Sequence, residues 1–117
     1  MGRGEPHSLF VDLVDHCRHK PGAVGTRFLG ETVFRMRGRV FAFVAGPDRV
    51  AVTVKPKRET ARSVLEGREA RRARWIGMLG WLTLDVDDEQ ALRLAHELID
   101  ESYRLVATRP RGRRDRV

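Results

Sequence analysis

Apolar residues at Leu9, Phe10, Leu13, Val14 and Cys17 recur at the spacing of one helix face, which predicts a helix over residues 5–18. Pro6 suits its first turn, where a backbone N–H has no intrahelical acceptor, and Lys20-Pro21-Gly22 ends it. From Thr32 the period changes to two. Phe34 and Met36 alternate with Arg35 and Arg37, the pattern of a half-buried strand, and Gly38 marks a tight turn. Val40 to Ala45 reads as a buried strand, Gly46-Pro47-Asp48 as a second turn, and Arg49 to Lys55 as a third strand with Val50, Val52 and Val54 on one face. Connections this short permit only antiparallel pairing.

Pro56 opens the second half of the chain. Ala61, Val64 and Leu65 predict a short helix over residues 60–66, with Gly67 as its stop. Residues 67–74 read as a basic connection, followed by two short strands, Trp75–Leu79 and Trp81–Val86, around Gly80. Asp87 is the expected N-cap of a last helix, with Gln90 three residues on in capping-box position. That helix carries Leu92, Ala95, Ile99, Tyr103 and Val106 as one stripe and runs to about residue 107. The order α-β-β-β-α-β-β-α implies an α+β fold: a mainly antiparallel, five-stranded sheet with helices on one face.

At 117 residues there is material for one core, so residues 1–108 are read as a single domain and 109–117 as a basic flexible tail. One cysteine excludes an intramolecular disulfide. No apolar run suits a signal peptide or a bilayer span, so the expectation is a soluble cytoplasmic protein with no membrane partner.

Thr32 to Ala42 (Thr-Val-Phe-Arg-Met-Arg-Gly-Arg-Val-Phe-Ala), Val52-Thr53-Val54-Lys55, Trp81-Leu82-Thr83-Leu84-Asp85 and Glu101-Ser102-Tyr103-Arg104-Leu105-Val106, in this order and spacing, resemble the MmcQ/YjbR family of small bacterial proteins. The resemblance covers roughly residues 8–108 and contains no catalytic motif. It implies a CyaY-like (frataxin-like) two-layer α/β sandwich and a proposed double-wing DNA-binding role in which β-hairpins act as wings. The 67–80 segment departs from the family pattern. It is more basic, and Trp75 precedes Trp81, which has the better flanks for the family's tryptophan.

Charge adds a direction to this picture. The chain carries 23 Lys+Arg against 16 Asp+Glu, a net +7. Residues 31–80 alone net +7 and residues 108–117 net +4, whereas residues 81–107 net −5. A GC-rich genome would explain 20 Arg against 3 Lys, but not this clustering. A field so polarised bears on association with polyanions.

Arg35, Arg37 and Arg39 are the strongest candidates, on a strand face and at a hairpin tip; a two-stranded ribbon fits the DNA major groove. Lys55, Lys57 and Arg58 enter a helix N-terminus, which together with cations can hold a phosphate. Arg68, Arg71, Arg72 and Arg74 form a second basic edge, and Arg109, Arg111, Arg113, Arg114 and Arg116 a basic tail. Each set has a plain alternative as a solvated surface. Phe34, Phe41, Phe43, Trp75 and Trp81 fall in patterns that look buried, so no stacking platform for bases is expected. Helix-turn-helix, zinc-finger and RNP motifs are absent from the sequence.

His16 and His19 could share a helix face, but Cys17 points with the apolar stripe and no partner set completes a metal site. Asp85, Asp87, Asp88 and Glu89 read as a helix start rather than an iron-binding ridge. Ser8, Ser63 and Ser102 lack paired His and Asp, and no phosphate or dinucleotide loop occurs, so neither a catalytic residue nor a cofactor is expected. The leading expectation is a non-enzymatic, duplex-DNA-binding module. The alternatives are a scaffold docking an acidic protein partner, or an enzyme whose site would gather His16, His19 or Asp85.

Overall fold

The computed structural model describes residues 5–109. It contains α1 (Pro6–Arg18), β1 (Ala23–Phe28), β2 (Glu31–Met36), β3 (Arg39–Ala45), β4 (Ala51–Val54), α2 (Arg58–Glu66), β5 (Arg71–Arg72), β6 (Leu82–Asp85) and α3 (Glu89–Ala107). Arg111, Arg113, Arg114 and Arg116 lie outside the described residues. The strands form one sheet in the order β1-β2-β3-β4-β6-β5, with every pair antiparallel.

The register makes the two-layer sandwich. Phe34, Ala42, Val54 and Leu82 stand opposite one another across four strands, as do Thr32, Val44, Val52 and Leu84. All eight are buried. Leu9, Leu13 and Cys17 of α1, Val64 of α2, and Leu92, Ala95, Leu98 and Ile99 of α3 close the same core. Residues alternating with these in β1, β4 and β6, such as Thr26, Thr53, Thr83 and Asp85, are exposed or half-buried and define a helix-free face.

One irregularity organises α3. The β2–β3 pairing shifts between Phe34 and Arg35, so that Phe34 faces Ala42, Arg35 faces Val40, and Phe41 has no partner. Such a bulge lets two successive residues, Phe41 and Ala42, both point inward. The freed Phe41 carbonyl accepts the Ser102 hydroxyl at 2.7 Å, and Ser102 Oγ in turn accepts the Lys55 N–H at 3.2 Å. Tyr103 donates to the Pro21 carbonyl at 2.6 Å, and its ring meets Phe41 edge-on.

The α+β class, the antiparallel sheet and its three helices agree with the sequence reading, with six strands rather than five. β1 was not expected. Five of its six residues are exposed, so it has no inward-outward alternation, and Gly25 interrupts it because a Cβ there would lie 2.6 Å from the Phe34 ring. Trp75–Leu79 is not a strand. Trp75 has φ +69° and begins a turn that runs into a short 3-10 helix, Gly77–Leu79. The strand beside β6 is instead Arg71–Arg72. The N-cap of α3 is Asp88, not Asp87; its carboxylate accepts the Ala91 N–H at 2.8 Å. The chain stays extended past β6 because Val86 is buried and its N–H bonds the Val50 carbonyl. That moves the cap one residue on and leaves Gln90 out of capping-box position.

Candidate nucleic-acid interface

Two ends of the sheet can be told apart by register. One end holds the β2–β3 turn, the exit of β4, the start of α2 and the exit of β5. Arg37 and Arg39, Lys55, Lys57 and Arg58, and Arg72 and Arg74 all belong to these segments. β3 and β5 are three strand spacings apart, about 14 Å at the usual 4.7–4.9 Å between strands. Three basic groups that the sequence treats separately therefore border one end. The opposite end carries Glu31, Asp48, Asp85 and Asp87, with Arg49 among them.

The hairpin arginines do not share a face. Arg37 (φ +55°) and Gly38 (φ +79°) form the turn itself, so Arg37 rather than Arg39 occupies the tip. Arg39 pairs with Met36 on the helix side. Arg35 lies on the helix-free face, where its guanidinium donates to Thr26 Oγ1 at 3.3 Å. The cations fan out around the hairpin instead of lining one side of it.

The start of α2 is already occupied. Lys57 N–H donates to Glu101 Oε2 at 3.1 Å, and the Thr60 hydroxyl donates to the same oxygen at 3.0 Å. A carboxylate from α3 thus holds the position where a phosphate was expected, and it answers the positive end of the helix dipole. Lys57 and Arg58 remain exposed as side chains. Lys55 lays its aliphatic stem beside Gly80, where an added Cβ would lie 3.3 Å from Lys55 Cε.

Arg71 is set apart from its neighbours. Its guanidinium bonds Asp85 through two contacts, 2.6 and 3.3 Å, on the helix-free face, which offsets its charge. Arg68 has φ +59° in the turn after α2 and is exposed. Arg74 places its guanidinium 5.6 Å from the Trp75 ring centre. Trp75 is 87% exposed and Met78 88%, so this loop presents an aromatic and a thioether beside the arginines. The apolar run Trp75–Leu79 hid this feature, because a run of that kind reads equally well as a buried strand. Trp81 instead meets Phe43 edge-on over the helix-free face. A trough on that face is floored by Phe43, Thr53 and Thr83 and bordered by Arg71, Arg74 and Trp75.

Histidines gather elsewhere. His16 and His96 stack with ring centres 4.0 Å apart and planes 2° from parallel. His96 Nε2 lies 2.6 Å from Asp12, and His16 Nε2 lies 2.7 Å from Asp100, which Lys20 also holds at 2.5 Å. Burial opposes ionisation of Asp100, but the hydrogen bonds from Lys20 and His16 outweigh it and hold its carboxyl below the usual value. The sequence offered no sign of this crossed arrangement, since the partners are 84 residues apart. Cys17 is fully buried among apolar neighbours, and burial pushes its thiol up to about 12. Among the described residues, no three His, Cys, Asp or Glu side chains are grouped to hold a metal ion. His16 and His19 line a shallow depression between α1 and α3, whereas Asp85 lies on the other side of the sheet. No described helix is long and apolar enough to cross a membrane.

No curated protein matches the chain. A family model, YjbR, matches residues 18–105, well over half of it, so the chain belongs to the YjbR family.

Proposed function

We propose that this member of the YjbR family is a non-enzymatic DNA-binding module that grips duplex phosphates with the basic end of its sheet. One observation carries the reading: Arg37, Arg39, Lys55, Lys57, Arg58, Arg72 and Arg74 come from three separate connections and border the same end. Their lateral span of about 14 Å is comparable to the roughly 12 Å width of the DNA major groove. The β2–β3 hairpin would serve as the wing, with Arg37 at its tip. Arg71, paired with Asp85, is left out of the footprint.

The test is a salt-titrated anisotropy assay with duplex DNA. Four or five neutralised phosphates give a slope of log affinity against log salt of about −4. Arg37→Glu with Arg39→Glu is expected to lower affinity more than tenfold and flatten that slope. Arg71→Glu is expected to change it far less. Absence of binding at about 50 mM salt, where the screening length is about 14 Å, would overturn the proposal.

The exposed Trp75 and Met78 favour a second reading, in which an acidic protein docks on the same end. Trp, Met and Arg are enriched in the buried centres of protein interfaces. Capture of such a partner undiminished by nuclease, and abolished by Trp75→Ala, would select it over DNA.

A further inference from the structure

The two edges of the sheet are treated differently. β5 ends one side with two residues, both exposed arginines, and a short charged edge discourages pairing with another chain. β1 ends the other side with six residues, without proline or bulge. Its one charge is drawn away: Arg27 donates to Thr32 Oγ1 at 2.9 Å, and its guanidinium lies 5.9 Å from the Phe10 ring centre. On the helix-free face β1 presents Val24, 61% exposed, and Phe28, 65% exposed, on either side of Thr26.

The backbone follows the same logic. Leu29 (φ +51°) and Gly30 (φ +81°) make a two-residue turn, so Phe28 and Glu31 close the hairpin as a hydrogen-bonded pair. N–H and C=O groups alternate in direction along a strand. Those of Val24, Thr26 and Phe28 then point towards β2, and those of Gly25 and Arg27 point out from the edge.

We infer that β1 pairs antiparallel with β1 of a second copy about a two-fold axis through Thr26. The outward groups allow this register and ones two residues away, and the side chains select this one. It matches the outward groups of Gly25 with those of the partner's Arg27, and vice versa, and it sets Val24 against the partner's Phe28 on one face, the β-branched–aromatic pairing that stabilises antiparallel strands. A shift by one residue would break both matches. The antiparallel arrangement also sets the basic end of each copy beside the acidic end of the other. Arg35 donates to Thr26 beside the axis, and salt weakens its repulsion from its counterpart. Two six-stranded sheets then join as one. The inference does not rest on DNA binding.

Sedimentation equilibrium of the native protein at about 100 µM, above the micromolar constants of weak interfaces, is expected to give twice the 13.4-kDa chain mass. The dimer persists in about 0.5 M salt, where screening would dissolve polyanion-bridged species. Val24→Lys with Phe28→Lys, both at exposed positions, gives a folded monomer. Thr26→Cys cross-links between copies on oxidation, because opposed Cα atoms of a non-hydrogen-bonded pair lie about 4.5 Å apart, within disulfide reach. Val24→Cys and Phe28→Cys do so only together. A monomer mass for the native protein, a dimer that survives Val24→Lys with Phe28→Lys, or cross-linking that ignores position would each overturn the inference. So would a monomer whose Gly25 and Arg27 amides resist hydrogen exchange, since that would assign the edge to a segment of the same chain.

Discussion

Ser102 donates its hydroxyl to the carbonyl of Phe41, the residue of β3 that the bulge leaves unpaired. Ser102 Oγ itself accepts from the Lys55 N–H, one residue past the last β3–β4 pair, Ala42 with Val54. A side chain of α3 thus replaces one rung of the ladder and ties the helix to two strands. Glu101 before it caps α2, and Tyr103 after it holds the Pro21 carbonyl. Three consecutive residues of the segment that marks the family resemblance fasten three different parts of the chain. Their work is structural.

Ser102→Ala leaves a buried carbonyl and a part-buried N–H without partners, so a loss of about 1–3 kcal/mol is expected. Urea unfolding checks it. Because the Ser102 oxygen both donates and accepts, Ser102→Cys should recover little of the loss despite its similar size.

Glu101→Ala removes the acceptor at the start of α2, and capping losses are about 1 kcal/mol. The effect should be local. Amide exchange in residues 58–61 is expected to quicken more than exchange in the sheet, because α2 contributes only Val64 to the fully buried core. Glu101→Gln should retain part of the protection.

Trp75 and Trp81 should behave oppositely. Trp75→Gly relieves a left-handed backbone at a bulky residue, worth about 1 kcal/mol, while adding a similar glycine entropy cost. The two offset, so a change within about 0.5 kcal/mol is expected at this exposed site. Trp81→Ala loses the edge-on contact with Phe43, worth about 0.5–1.5 kcal/mol beyond the lost burial. Acrylamide quenching of the single-tryptophan variants should show Trp75 far more accessible than Trp81.

The Asp100 cluster carries a pH signature. Its carboxyl is held below its ordinary 3.8 in the folded chain, so the folded state binds fewer protons there than the unfolded state. Its stabilising share is present above pH 3.8 and is lost as pH falls through the lowered folded value. Thermal unfolding between neutral and strongly acidic pH should show this decline in the parent. In Asp100→Asn the stability is lower at neutral pH, and that part of the acid slope is missing.

Helix faces, the antiparallel strands of the meander and the core positions were legible in the sequence because each rests on a short-range rule. A period of 3.6 in residues 9–17, or a valine at every second position from 50 to 54, states which side is buried whatever lies opposite. Gly38 as a turn follows from chain geometry in the same way, whereas Arg37 as the turn's other residue does not. β1 was not legible because an exposed edge strand needs no alternation; its partner β2 holds it. Trp75–Leu79 misled because hydrophobicity alone cannot distinguish a buried strand from a displayed loop. The ends of the sheet, basic at one and acidic at the other, follow from register and strand order, which bring connections far apart in sequence to a common border. Occupation of the α2 start by Glu101, pairing of Arg71 with Asp85, and the crossed histidine–aspartate contacts required side chains 14–84 residues apart to meet. Only the tertiary structure decides those, because hydrogen bonding and charge pairing depend on distance in space, not on distance along the chain.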